Sequence, residues 1–150
     1  MLDLCNIKLN TLPESFGSAC SALKVDLMGN CLTELSPSLS NFHQITELVL
    51  MSNLLENIPQ SIFSLTSLSV LNLGANKITQ IPEALNTLHK LEVLIFSFNR
   101  ITRFDANCIS SLKALHTLSL HNNCIEGKAL FVSQFCLFLT FHFSQNFLLN

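Results

Sequence analysis

The sequence predicts an α/β solenoid: an arc of stacked windings with a parallel β-sheet on its concave face and short helical or irregular segments on its convex side. Three observations predict it. An asparagine returns on a fixed beat at Asn30, Asn53, Asn76, Asn99 and Asn123, with separations of 23, 23, 23 and 24 residues; a constant period in this range marks stacked repeats rather than one central core. Apolar residues keep one register around each asparagine, as Leu68, Leu71 and Leu73 do before Asn76 and Ile78, Ile81 and Leu85 after it. Each turn also carries an alternating Leu-x-Leu triplet, the period of a strand with one face turned inward.

The windings follow in order. Around Ile7 stand Leu2, Leu4, Leu9, Leu12 and Phe16; around Asn30, more loosely, Ala22, Val25, Leu27, Leu32, Leu35 and Leu39. The next turns set Ile45, Leu48, Leu50, Leu55, Ile58 and Ile62 about Asn53, and Leu91, Leu94, Phe96, Ile101 and Phe104 about Asn99. The last sets Leu115, Leu118, Leu120 and Ile125 about Asn123. Each triplet is expected to form a short strand that pairs with its neighbours in parallel. The asparagine amide is expected to satisfy backbone groups that the following bend leaves unpaired; such groups cost about 1–3 kcal/mol each when buried without a partner. A return segment such as residues 82–88, with Ile81, Leu85 and Leu88 at helical spacing, closes the convex side, and Pro82 suits a first helical position because it has no N–H to waste.

The stretch Leu68-Ser-Val-Leu-Asn-Leu-Gly-Ala-Asn-Lys-Ile-Thr-Gln-Ile-Pro82 fills every slot of the pattern L-x-x-L-x-L-x-x-N-x-L-x-x-I/L-P. Pro13, Pro59 and Pro82 follow the same apolar position in three turns, and Ser36-Pro37 shifts it by one in another. Residues 1–127 therefore resemble the leucine-rich repeat family, and the 23-residue form with its proline is similar to the intracellular, Ras-group type. The resemblance implies a horseshoe-like arc that binds a protein partner, such as a small GTPase or a signalling enzyme.

Departures bound the array. Ile7 replaces the first asparagine, so the ladder is expected to stop or fray there, and Asp105 replaces the proline after Phe104. Lys128 falls where an inward leucine belongs, which ends the array near Gly127 and leaves 128–150 as a separate tail. That tail holds six of the chain's twelve phenylalanines, and its only charge is Lys128. A membrane span needs about 20 mostly apolar residues, whereas Gln134, His142, Gln145 and Asn146 interrupt this one. A makeshift cap over the open end of the stack is favoured over a membrane anchor or a non-native tail. Met1 falls two residues into a strand with no polar cap ahead of it, although solenoids need capped ends; a fragment of a longer chain is expected.

Composition narrows the role. A net charge of −2 argues against a nucleic-acid partner, which favours a basic stripe. No basic stretch followed by an apolar run marks a secretory signal. The six cysteines are scattered singly, and Cys31 and Cys124 share a slot four turns apart, beyond the roughly 6 Å that a disulfide spans. Reduced thiols in the cytoplasm are expected. No cysteine or histidine set has metal-ligand spacing, so neither a metal nor a cofactor is expected. His116 and His121 read as surface histidines on strand slots.

Catalytic motifs for nucleotide binding, serine hydrolysis or zinc are missing. Ser97, Ser119 and His121 can lie near one another on the concave face, but a nucleophile–base pair needs a third, orienting group. Gly29 and Gly74 read as outward slots without a side chain, where a partner can approach closely. The chain is thus not expected to be an enzyme. The candidate site is the array of outward strand residues: Asp26, Met28, Glu47, Val49, Met51, Asn72, Gly74, Ile95, Ser97, Phe98, Ser119 and His121. Its centre is apolar, at Met28, Val49, Met51, Ile95 and Phe98, and apolar patches with polar rims mark protein-contact surfaces. The leading expectation is a cytoplasmic interaction scaffold in signalling. Two alternatives stand beside it: a sensor part of a larger signalling enzyme (phosphatase, kinase, cyclase or immune-receptor ATPase), and a membrane-tethered repeat domain anchored by the tail.

Overall fold

In a computed structural model that describes residues 1–19, 21–126 and 140–142, the chain winds as the period predicts. Among the described residues, seven short strands form one parallel sheet in sequence order: β1 (Leu2–Asp3), β2 (Lys24–Asp26), β3 (Glu47–Val49), β4 (Val70–Asn72), β5 (Val93–Ile95), β6 (Thr117–Ser119) and β7 (Thr140–His142). One row of backbone partners runs Leu2, Val25, Leu48, Leu71, Leu94, Leu118 and Phe141 across all of them. The pairing therefore continues past 127 at β7, while the rest of the tail, 128–139 and 143–150, lies outside the described residues. No helix among the described residues is long and apolar enough to cross a membrane.

The core is a column of aliphatic side chains inside this coil. Leu48, Leu50, Leu55, Ile62, Leu65, Leu71, Leu73, Leu85 and Leu94 are wholly closed to solvent, and each contributes about 1.5–3 kcal/mol by leaving water. The bends between strand and return segment are held by the asparagines. Asn76 donates from Nδ2 to the carbonyls of Leu73 in its own turn (3.1 Å) and Leu50 in the turn before (2.9 Å), and its Oδ1 accepts from the Leu55 N–H (3.1 Å). Asn53, Asn99 and Asn123 repeat this arrangement with Leu27 and Leu50, Leu73 and Phe96, and Phe96 and Leu120. Each asparagine thus ties two windings together, and each carbonyl between them, such as Leu50 or Leu73, accepts from two successive asparagines, so the bonds form a continuous ladder. At the first turn Asn30 serves the N–H groups of Leu9 (2.9 Å) and Ile7 (3.3 Å). Ile7 itself is 54% exposed, and β1 pairs through only two residues.

The convex side differs from the expected helix in a specific way. Its segments are 3-10 turns at Pro37–Asn41, Gln60–Ser64, Glu83–Thr87 and Ala106–Ile109, with a four-residue helix α1 (Phe16–Ala19) in the first winding. A 23-residue winding that spends its length on strand and bend leaves room for little more than one tight turn. Pro59 and Pro82 consequently stand one position ahead of the helix, in extended conformation, rather than at its first residue. Pro82 offers its carbonyl to the Leu85 N–H. Where that proline is absent, a side chain caps instead: Asp105 accepts from the Asn107 N–H (2.9 Å) and Ser36 from the Ser38 N–H (3.3 Å). Both act as N-caps that satisfy otherwise free donors. The windings also lock to each other on this side, where Asn86 donates to the Asn107 carbonyl (2.6 Å) and accepts from the Ser111 N–H (3.1 Å).

Candidate functional site

The sheet's alternation sends every second strand residue to the concave face, and parallel pairing stacks those residues in rows. One row runs Lys24, Glu47, Val70, Val93 and Thr117; the next runs Asp3, Asp26, Val49, Asn72, Ile95 and Ser119. Two residues further along each turn stand Cys5, Met28, Met51, Gly74, Ser97 and His121. Asp26, Met28, Glu47, Val49, Met51, Asn72 and Ile95 are half-buried on this face, so they are open enough to touch a partner.

Several assignments change. Ser97 and Ser119 are only 8% and 5% exposed, because the small hydroxyls sink between neighbours, so they form the floor of the face rather than its contacts. Phe98 and Gly29 are not strand residues. The residue ahead of each bend holds a left-handed conformation: Asn6 (φ 57°), Gly29 (69°), Ser52 (58°), Ala75 (51°), Phe98 (59°) and Asn122 (54°). Glycine and asparagine visit that region readily, and larger side chains resist it. Half of the six positions are glycine or asparagine, and that bias was the available signal for the bend. Gly29 has a second constraint, since a Cβ there would collide with the Asn6 side chain.

Phe98 is the outlier of this series. It is an aromatic in a left-handed backbone, 56% exposed, with its ring 5.3 Å from that of His121 in an edge-to-face contact. His121 in turn meets the Ser119 hydroxyl through Nδ1 at 2.8 Å. The serine and histidine expected to lie near each other therefore do touch. Among the described residues no carboxylate bonds to His121, so nothing there orients the ring as a base.

Gly74 lies in the row between Met51 and Ser97. A Cβ built on it would meet Asn72 Oδ1 at 3.2 Å and the Ser97 carbonyl at 3.4 Å, and Gly74 is itself buried, so neighbouring atoms close over the missing side chain and the position is part of the floor rather than an opening for a partner. At the β1–β2 end the face turns acidic. Asp3 and Asp26 are register partners on β1 and β2, and ligand atoms of Asp3, Cys5 and Asp26 all lie within 4.8 Å of one another. The Cys5 thiol donates to Asp3 (2.8 Å), as does the Cys5 N–H (3.0 Å). Those bonds hold the Asp3 carboxyl below its usual range. The thiol is pushed up, first by its bond to Asp3 and then by desolvation and the nearby carboxylate charges. Glu47 is neutralised by Lys24 at 2.6 Å. The repeat register already assigns Asp3 and Asp26 to one outward slot in adjacent turns, and the pairing of β1 with β2 sets them side by side.

The four described cysteines, Cys5, Cys31, Cys108 and Cys124, are free thiols; Cys20 and Cys136 lie outside the described residues. Cys108 is buried and donates to the Ile81 carbonyl (3.0 Å), and burial is the main cause that raises its thiol pKa.

Comparison with known proteins agrees with this geometry. The family model described as leucine rich repeat matches residues 43–97, and a model for two copies of leucine rich repeats matches residues 89–129. No curated protein sequence matches the chain. Among solved structures, an internalin from Listeria monocytogenes is similar at 26% identity and a TM-score of 0.73, over 87% of this chain and 37% of its own. The leucine-rich repeat ectodomain of a receptor kinase from Arabidopsis thaliana is 31% identical with a TM-score of 0.61, over 75% of this chain and 63% of that one. A leucine-rich repeat protein of Leptospira interrogans shares the fold at 24% identity and a TM-score of 0.71, over 85% and 39%. The chain spans less than two thirds of the length of each.

Proposed function

We propose that this chain, which belongs to the leucine-rich repeat family, is a cytoplasmic signalling scaffold that holds a protein partner on its concave face. Family and fold support the coarser statement, a protein-interaction repeat module; the face, the compartment and the signalling role are our reading. The observation that carries the face is Phe98. A large aromatic that is exposed and held in a left-handed backbone costs about 1–3 kcal/mol, and its ring meets His121 edge to face rather than entering the core. Strain of this kind gathers where a surface is used. The free, scattered thiols favour a reducing compartment. A small GTPase or a signalling enzyme is the class of partner in view.

The test replaces Met51 and Phe98 with glutamate together and compares capture of a partner by the wild-type and altered chains. Loss of the partner at unchanged circular dichroism is expected. A partner retained in full contradicts the concave-face reading.

A second reading has one observation in its favour. The similar receptor-kinase structure is an ectodomain, one part of a larger signalling enzyme, and this chain has the same design. On that reading it is a sensor segment next to a catalytic domain. A catalytic motif in the adjoining coding sequence supports it, and stop codons on both sides end it.

A further inference from the structure

The four residues after the asparagine slot of every winding form one flank of the stack. Backbone bonds hold these segments in register: Cys31 N–H to the Leu9 carbonyl, Leu54 to Leu32, Lys77 to Leu55, Arg100 to Ile78 and Cys124 to Ile101. The charges on the flank change sign along the arc. Lys8 stands in the first winding, Glu34 and Glu56 in the second and third, Lys77 in the fourth, Arg100 and Arg103 in the fifth, and Glu126 in the sixth. Among the described residues none of these is in an ion pair, the pairs there being Lys24–Glu47 and His116–Glu92. Glu34, Glu56 and Lys77 line one groove of about 560 Å³ together with Leu54, which is 37% exposed. Acid, base and an apolar group therefore share one surface at the middle of the flank. We propose that this flank binds a second copy of the chain. The two-fold axis lies in the flank, between the third and fourth windings, and runs along their chain direction.

A two-fold interface sets one patch against its own reversed copy. About this axis the first winding meets the sixth of the other copy, the second meets the fifth, and the third meets the fourth. Lys8 then opposes Glu126, and Glu56 opposes Lys77. Glu34 opposes Arg103, each being the fourth residue after its asparagine, with Arg100 in the same winding. Every contact occurs twice. Moving the axis by one winding sets Glu34 against Glu56, or Lys77 against Arg100. An axis along the arc sets each winding against its own charge. Repulsion thus rejects the alternatives and fixes the register. Leu54 lies half a winding from the axis, so its two copies stand about 4.8 Å apart along the arc and leave water together. The contact is small: six strand spacings by four extended residues give a flat area on the order of 400 Å² per copy, against roughly 800 Å² in stable complexes. Association is therefore weak and salt-dependent. The concave face stays open in such a pair, so this contact is separate from the function proposed above.

Sedimentation of the full chain over a range of concentration and salt tests the pairing. A monomer–dimer equilibrium is expected at low salt, weakening as the Debye length falls from about 10 Å at 0.1 M to 3 Å at 1 M. The variants E34K/E56K and K77E/R103E each set like charges against each other, so each alone should dimerise at least about tenfold more weakly than wild type. Mixed one to one, the two variants should form a heterodimer of near wild-type affinity, because every reversed charge in one copy meets an opposite charge in the other. That recovery also shows that both variants are folded. Leu54→Cys should give a disulfide-linked dimer on mild oxidation, beyond any formed by the wild type, and adding E34K/E56K should abolish it. The proposal is overturned by a chain that stays monomeric at every concentration, or by a dimer that ignores salt or survives in either charge variant. Variants that fail to associate when mixed, or a Leu54→Cys chain that does not cross-link, overturn it as well.

Discussion

On β4 the side chain of Leu71 is closed to solvent, while its neighbours Val70 and Asn72 stand half-exposed on the concave face. The same contrast recurs on β3 and β5, where Leu48 and Leu94 are buried between half-exposed residues. Yet the two sets differ in kind. Inward positions repeat almost one residue type, because each must fill the same volume between identical neighbours. Outward positions change from turn to turn, from Asp26 to Val49, Asn72, Ile95 and Ser119. The inward set specifies the coil, and the outward set is free to specify what the coil meets.

Substitutions can sharpen or break that division. The largest effect is expected inside. Leu71→Ala should cost about 3–4 kcal/mol by opening a cavity in a core with no slack, read as a drop in the denaturant midpoint. Asn76→Ala should cost about 1–3 kcal/mol, because it strands the Leu55 N–H away from water and leaves the Leu50 and Leu73 carbonyls with one asparagine donor each instead of two; chemical denaturation measures it. Outside, the sign reverses. Phe98→Asn should raise stability by up to about 1 kcal/mol, since asparagine tolerates the left-handed bend and the gain outweighs the lost ring contact with His121. The same change should weaken binding, so a thermal melt and a binding isotherm on one sample would move in opposite directions. The smallest effect is expected from Glu47→Gln. The Lys24–Glu47 pair is solvent-facing, with side chains 57% and 30% exposed, and such pairs contribute less than about 1 kcal/mol. A loss of 2 kcal/mol there would mean that the outward rows also carry the fold.

How much of this was legible follows from the same division. Leu48, Leu71 and Leu94 and the asparagines at Asn53, Asn76 and Asn99 could be read from sequence, because one period imposes one environment on each of them. The convex turns were less legible. A helical spacing such as Ile81, Leu85 and Leu88 does not distinguish an α-helix from a single 3-10 turn, and the caps at Ser36 and Asp105 depend on local backbone angles. The site was the least legible part. The outward residues could be named, but Phe98 and Gly29 were placed on strands because the left-handed bend has only a partial composition signal. The shared outward slot of Asp3 and Asp26 could be read from the period, whereas Gly74, Ser97 and Ser119 sank out of reach because of the residues around them.

Amide hydrogen exchange along the chain, free and with a captured protein partner bound, tests the division most directly. Added protection is expected at Met28, Met51, Gly74 and Phe98, with the convex turns at Gln60–Ser64 and Glu83–Thr87 unchanged. Protection gained on those convex turns, with Met51 and Gly74 unaffected, would contradict the account.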